Sequence, residues 1–338
     1  MSAVTAGPTA ADASPSTARA GRRRFRGGWR IVARKELGDH VRSVRFVILV
    51  ILVVLAGLAS VQSASGPIRD AADAASQTPS IFLYLFTLSP QSVPAFHEFI
   101  GILGPLLGIA FGFDAINGER AQRTLPRLVS QPIHRDEIIN GKFVAGLGAI
   151  ALVLACLVAM VAGYGALRLG MGPTLGDVAR IFAFYVVTLV YIALWLALSL
   201  LLSVVCRRAA TAALAAIAVW LVLTLFMGLI ASMIADSTHK VGADATTEEV
   251  LANARTELTV RRFSPDQLYK DATGVLLNPS RQSTGIVVDT GATSAVPTSL
   301  PLDQSLLLAW WQVVVLVAGT IVLFAAAYTT FMRQEVRA

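Results

Sequence analysis

Six runs of roughly twenty apolar residues, separated by polar connections, constrain this chain more than any other feature. A hydrocarbon core about 30 Å thick takes roughly 20 residues of apolar helix to cross. Nothing inside it can satisfy a bare N–H or C=O, so a spanning run is helical or belongs to a closed barrel. A barrel would alternate apolar and polar residues in segments of about ten, and this sequence does not. The runs fall at about 46–61, 96–116, 143–167, 181–205, 211–234 and 306–331. Charged residues make up 14% of the chain, where a soluble domain carries about 25%. The predicted fold class is therefore all-α and integral to a membrane.

The basic residues orient it. Residues 1–20 are mostly Ala, Ser, Thr, Pro and Gly, a composition that predicts a disordered tail. Residues 21–45 carry Arg22, Arg23, Arg24, Arg26, Arg30, Arg34, Lys35, Arg42 and Arg45, with Trp29, Ile31, Val32, Leu37, Val41 and Val44 at three- and four-residue steps. This predicts a basic amphipathic helix along the membrane surface, leading into the first span. Arg23-Arg24-Phe25 stands too far from the first run for an export signal, so that run reads as an uncleaved span. Lys and Arg in the short connections at 117–142 and Arg207-Arg208, and in the C-terminal tail, put both termini in the cytoplasm. The net charge of +7 thus follows the membrane, and no nucleic-acid partner is expected. Spans one to five occupy 46–235, residues 236–305 are extracytoplasmic, and 306–338 hold the sixth span and a short tail. In the outer region, Thr246 with Glu249 and Ser264 with Pro265 mark two helix starts, the second helix closing at Asn278-Pro279, and a Ser/Thr/Gly stretch follows. The short apolar piece 81–88 is expected at the outer interface.

Catalytic chemistry has nothing to assemble from. Asn140-Gly141-Lys142-Phe143 lacks the upstream glycine and the hydroxyl of a phosphate loop. The four histidines are scattered, and Cys156 and Cys206 read as inert buried thiols. His97, Glu98 and Asp114 stand at the edges of the second span, as interfacial anchors. Within that span Gly104, Gly108 and Gly112 form a small-xxx-small stripe that suits contact with another helix.

The connection 117–142 has the most distinctive pattern. Leu125, Leu128, Val129, Ile133 and Ile138 give an amphipathic helix-turn segment, with Pro132 ending its first part and Asp136 capping the second. Glu119, Thr124-Leu125, Leu128, Ser130, Pro132, Arg135 and Gly141-Lys142 together resemble the cytoplasmic loop of ABC-2 type transporter permeases. Arg123 and Pro126 depart from that pattern. The six-span arrangement extends the resemblance over nearly the whole chain, nearest to the branch with the nitrous-oxide-reductase maturation permease and related exporter-like permeases.

The resemblance implies a multi-pass permease of a prokaryotic inner membrane, paired with a separate ATPase subunit that binds ATP and Mg, and with a second copy of itself or a related permease. The chain itself would hold no cofactor. Glu119, Arg120, Thr124, Leu125, Leu128, Ser130, Pro132, Arg135, Gly141 and Lys142 would couple it to the ATPase, and the second and fifth spans would line the dimer interface. Export is the expected task. The alternatives are a mechanical transmitter acting on an outer partner through 236–305, and a polytopic carrier or scaffold outside the ABC class.

Overall fold

The computed structural model describes residues 28–74, 80–89, 94–121, 134–242, 245–281, 283–284 and 300–334. Among them every regular element is helical: α1 Gly28–Arg42, α2 Val44–Ala74, α3 Tyr84–Thr87, α4 Phe96–Gly112, α5 Asn117–Ala121, α6 Arg135–Leu169, α7 Leu175–Val205, α8 Ala209–Leu221, α9 Met227–Thr238, α10 Thr247–Arg261, α11 Pro265–Leu277 and α12 Leu302–Arg333. Six segments are long and apolar enough to cross a membrane: Phe46–Ile68, Phe96–Ala121, Arg135–Leu169, Leu175–Val205, Ala209–Thr238 and Leu302–Arg333. The fifth joins α8 to α9 through a π-helical turn, Val222–Phe226. The expected tail at 1–20, the Ser/Thr/Gly stretch at 285–299 and the loop residues 122–133 lie outside the described residues.

α7 is the centre of the bundle, because apolar residues surround its whole circumference; Phe184, Tyr191, Trp195, Leu196 and Leu200 are all buried. α4 reaches it through the glycine stripe. A Cβ on Gly108 would stand 2.8 Å from the Ile192 carbonyl oxygen and 2.9 Å from the Leu196 nitrogen, and one on Gly104 would stand 3.0 Å from Ile192 Cγ1. A Cβ on Gly112 would collide with Ser199 Oγ. The stripe thus faces a helix of the same chain. Gly108→Val is expected to force α4 off α7 and to cost about 2 kcal/mol, the range for overpacking a tight core; thermal unfolding of the purified chain checks this. α8, α9 and the π-helical turn between them, by contrast, leave Leu214, Leu225, Phe226, Leu229 and Met233 exposed. Cys156 and Cys206 are free, and Cys156 is exposed on α6 where a buried thiol was expected.

At one end α1 lies beside the first turns of α6. The Gly28 N–H donates to Glu137 Oε1 at 3.0 Å, Val32 covers Gly141, and Leu37 reaches Gly148. α6 therefore starts near Arg135, well before its apolar run, and its N-cap is His134 rather than Asp136. Ile138 is fully buried and faces the core.

At the opposite end, Thr246 Oγ1 accepts from the Glu249 N–H at 3.3 Å and starts α10. Ser264 Oγ accepts from the Asp266 N–H at 3.2 Å and starts α11, with Pro265 at its first position. α11 is embedded in the bundle: Leu268, Tyr269, Ala272, Val275 and Leu276 are buried, and the Tyr269 ring stacks on Tyr191 of α7 with centroids 4.4 Å apart. The piece at 81–88 also packs inward. Phe82, Leu83, Leu85 and Phe86 are buried, and the Phe86 ring meets those of Phe96 and Phe184.

Candidate functional site

The polar groups concentrate where α1, α4, α5 and α6 meet. The Ile116 and Asn117 N–H groups donate to Ser203 Oγ at 3.0 and 3.2 Å, tying the entrance of α5 to the last turns of α7. Arg120 then reaches the carbonyl that α7 leaves unsatisfied near its end: its Nη1 donates to Val204 O at 3.2 Å. Its Nη2 donates to Gln334 Oε1, while the Gln334 amide donates to the same Val204 carbonyl at 3.0 Å. Arg135 completes the arrangement, donating to the Gln334 main-chain carbonyl at 3.0 Å. The two flanks of segment 122–133 are thereby fastened to one point, the ends of α7 and α12. Glu137 Oε2 accepts from the His134 N–H at 3.2 Å while its Oε1 holds Gly28, so one carboxylate fixes the starts of α6 and α1.

Beneath this lies a buried ion cluster. The Lys142 side chain, 4% exposed, pairs with Glu36 at 3.0 Å and Glu119 at 3.4 Å. The cluster closes one side of a cavity of about 450 Å³ that Asp39, His40 and Asp114 also line. The His40 ring stands edge-on to Phe111 with centroids 5.1 Å apart. Burial holds the His40 imidazole below its usual pKa; Glu36, Asp114 and Asp39 pull the other way and Lys142 reinforces the burial. His40 is thus held neutral. These groups can bind by charge and hydrogen bonding. Among the described residues no group of three or more His, Cys, Asp or Glu side chains could hold a metal ion.

Of the ten coupling residues taken from the sequence, five are described. Glu119, Arg120, Arg135, Gly141 and Lys142 fall in this one region, with Gly141 and Lys142 turned inward. Thr124, Leu125, Leu128, Ser130 and Pro132 lie outside the described residues. Sequence reasoning missed Glu36, Glu137, Ser203 and Gln334. Glu137 had a legible signal in its three-residue spacing from His134, and Glu36 in its four-residue spacing from Val32 within a basic helix. Ser203 and Gln334 had none.

The family model described as ABC-2 family transporter protein matches residues 30–336. No curated protein matches the chain.

Proposed function

This chain belongs to the ABC-2 transporter family and is a membrane component of an ABC transporter; from that premise we propose that it is the permease of an exporter driven by a separate ATPase subunit. The observation that carries the reading is the double fastening of segment 122–133. A short segment held at both ends by Arg120 and Arg135 on the ends of α7 and α12 passes any push directly to two spanning helices. The ATPase, with its ATP and Mg, docks on this segment. The basic residues of its short connections support a cytoplasmic placement of that end. The membrane is the inner membrane of a prokaryotic cell. The complex holds two permease copies that meet through the exposed apolar side of α8 and α9, since the glycine stripe of α4 is occupied by α7. Transport is favoured over mechanical transmission by the burial of α11, which makes that helix of the 236–305 region part of the bundle.

The test is co-purification with the proposed ATPase subunit. Carboxylates cannot be seated in an apolar groove without a large desolvation cost. Leu125→Asp with Leu128→Asp is therefore expected to reduce ATPase recovery by at least about tenfold, as measured on the complex extracted from membranes. Full recovery would overturn the docking assignment.

A further inference from the structure

Gln312 is a buried polar side chain that the proposed coupling end does not explain. It is fully buried in α12, and neither its amide oxygen nor its nitrogen has a hydrogen-bond partner among the described residues. An amide left without partners in apolar surroundings costs roughly 2–7 kcal/mol. A buried polar group of this kind inside a span is a candidate for function.

Its neighbourhood follows from helix register. α7 and α12 run side by side: Arg180 Nη1 donates to Ser305 Oγ at 3.2 Å, and a Cβ on Gly319 would lie 3.1 Å from Leu194 Cδ1. The register that joins both pairs sets Gln312 opposite Val187, with Thr188 beside it and Tyr191 one turn further on. Tyr191 donates to the Gly101 carbonyl at 2.8 Å, and Thr188 shares a hydrogen bond with the Tyr269 hydroxyl at 3.3 Å. Hydroxyls, aromatic faces and one orphaned amide therefore gather at a single level of the bundle. Between Arg180 and the end of α7, and between Asp303 and Arg333 of α12, no charged residue occurs.

Alongside runs an apolar groove of about 580 Å³, within the size range of small-molecule sites. Leu194, Phe263, Leu268, Trp311, Val315 and Leu316 line it, so residues on either side of Gln312 in the helix form its wall. The cation at its rim is already compensated. Arg262 Nε donates to Asp271 Oδ2 at 3.2 Å and Nη2 to Thr284 O at 2.7 Å, and the guanidinium carbon lies 5.3 Å from the centre of the Trp311 ring. The groove thus offers apolar walls with no net attraction for an anionic head, while the unpaired amide of Gln312 stands next to Trp311 in the helix but outside the lining.

We propose that this groove binds an uncharged amphiphile, its chain along Leu194, Trp311 and Val315 and its hydroxyl head hydrogen-bonded to Gln312 once Leu268 and Leu316 part. The proposal names the cargo class and so rests on the transport reading for its purpose, but the binding itself needs no ATPase. The full chain in phosphatidylcholine nanodiscs is unfolded thermally with increasing dioctanoylglycerol, and separately with dioctanoyl phosphatidic acid. Dioctanoylglycerol is expected to raise Tm; phosphatidic acid is expected to bind at least about tenfold more weakly, its charge having no partner. Gln312→Met keeps the side-chain volume. It is expected to weaken dioctanoylglycerol binding about tenfold, one hydrogen bond's worth, while its own Tm in the nanodiscs before dioctanoylglycerol is added equals or exceeds that of the unchanged protein. A lower Tm before that addition would mean that the amide has an internal role. That result, equal dioctanoylglycerol binding by both proteins, or equal binding of the two lipids, overturns the proposal. Success here with failure of ATPase co-purification would sink the transport reading alone.

Discussion

Lys142→Met is expected to destabilise the protein by about 3 kcal/mol, through charges it leaves behind more than through the contact it removes. Lys142 is the cation between Glu36 of α1 and Glu119 of α5, at 3.0 and 3.4 Å. Without it two carboxylates face each other across a site where their side chains are 13% and 19% exposed. Breaking a buried pair by removing one partner costs ~3–5 kcal/mol, and the residual exposure of the two acids puts this case at the lower end. The signature is in the rescue. Adding Glu36→Gln and Glu119→Gln to Lys142→Met removes the repulsion, and the triple variant is expected to recover more than half of the loss. Thermal unfolding of the three proteins, unchanged, single and triple variant, in the same nanodiscs measures it. If Lys142→Met is neutral, water reaches the cluster and α5 is held by Ser203 and Arg120 alone. If the loss occurs but the triple variant gives no recovery, repulsion between the two carboxylates is not its cause.

Hydropathy made the six spans legible, because an apolar run of spanning length has one structural solution in lipid. It could not show where α6 begins. Asp136, Glu137, Asn140 and Lys142 are polar, and their helicity is set by α1 packed alongside and by Glu137 holding His134 and Gly28. For α11 the two kinds of signal disagreed. Its start was readable from Ser264 and Pro265, whereas its charged residues, Asp266, Lys270 and Asp271, give no sign of burial. The fold pairs Lys270 with Asp266 at 2.7 Å and Asp271 with Arg262 at 3.2 Å, so the helix can be buried. Of the proposed coupling end, Glu119, Arg120, Arg135 and Lys142 were selected by the resemblance of the connection to the ABC-2 permease loop. Their partners Glu36, Ser203, Val204 and Gln334 are distant in sequence, and nothing local in a serine or a terminal glutamine announces that it will meet them. The orphaned amide of Gln312 was equally silent, since a lone glutamine in an apolar run gains meaning only from its missing partners.

Arg180→Met is expected to have the largest effect at the opposite end, about 4 kcal/mol, because three acceptors depend on one buried guanidinium. Nη1 donates to Leu276 O at 2.9 Å and to Ser305 Oγ at 3.2 Å, and Nη2 donates to Leu300 O. The Leu276 carbonyl belongs to the last turn of α11 and has no donor within its own helix; the Leu300 carbonyl and Ser305 stand at the start of α12. A single side chain of α7 therefore fastens the end of one helix to the beginning of the next. Each acceptor left buried and unpaired costs ~1–3 kcal/mol. The structure has a cheaper response than global unfolding, which is to release α11 and expose its carbonyls to water. Trypsin reads that release directly, since Arg262, Lys270 and Arg281 lie in or beside α11. Cleavage there is expected to accelerate about a hundredfold in Arg180→Met, the equivalent of ~2.7 kcal/mol of local opening. Arg180→Lys is expected to recover only part of the protection, because one ammonium cannot span acceptors that a planar fork reaches together. Unchanged cleavage in Arg180→Met would show that the stacking of Tyr269 on Tyr191 and the apolar burial of α11 hold the helix without the arginine. In sealed vesicles of right-side-out orientation, externally added trypsin should reach these sites in the variant. Protection that persists until the vesicles are lysed would instead place this end of the bundle in the cytoplasm and reverse the proposed orientation.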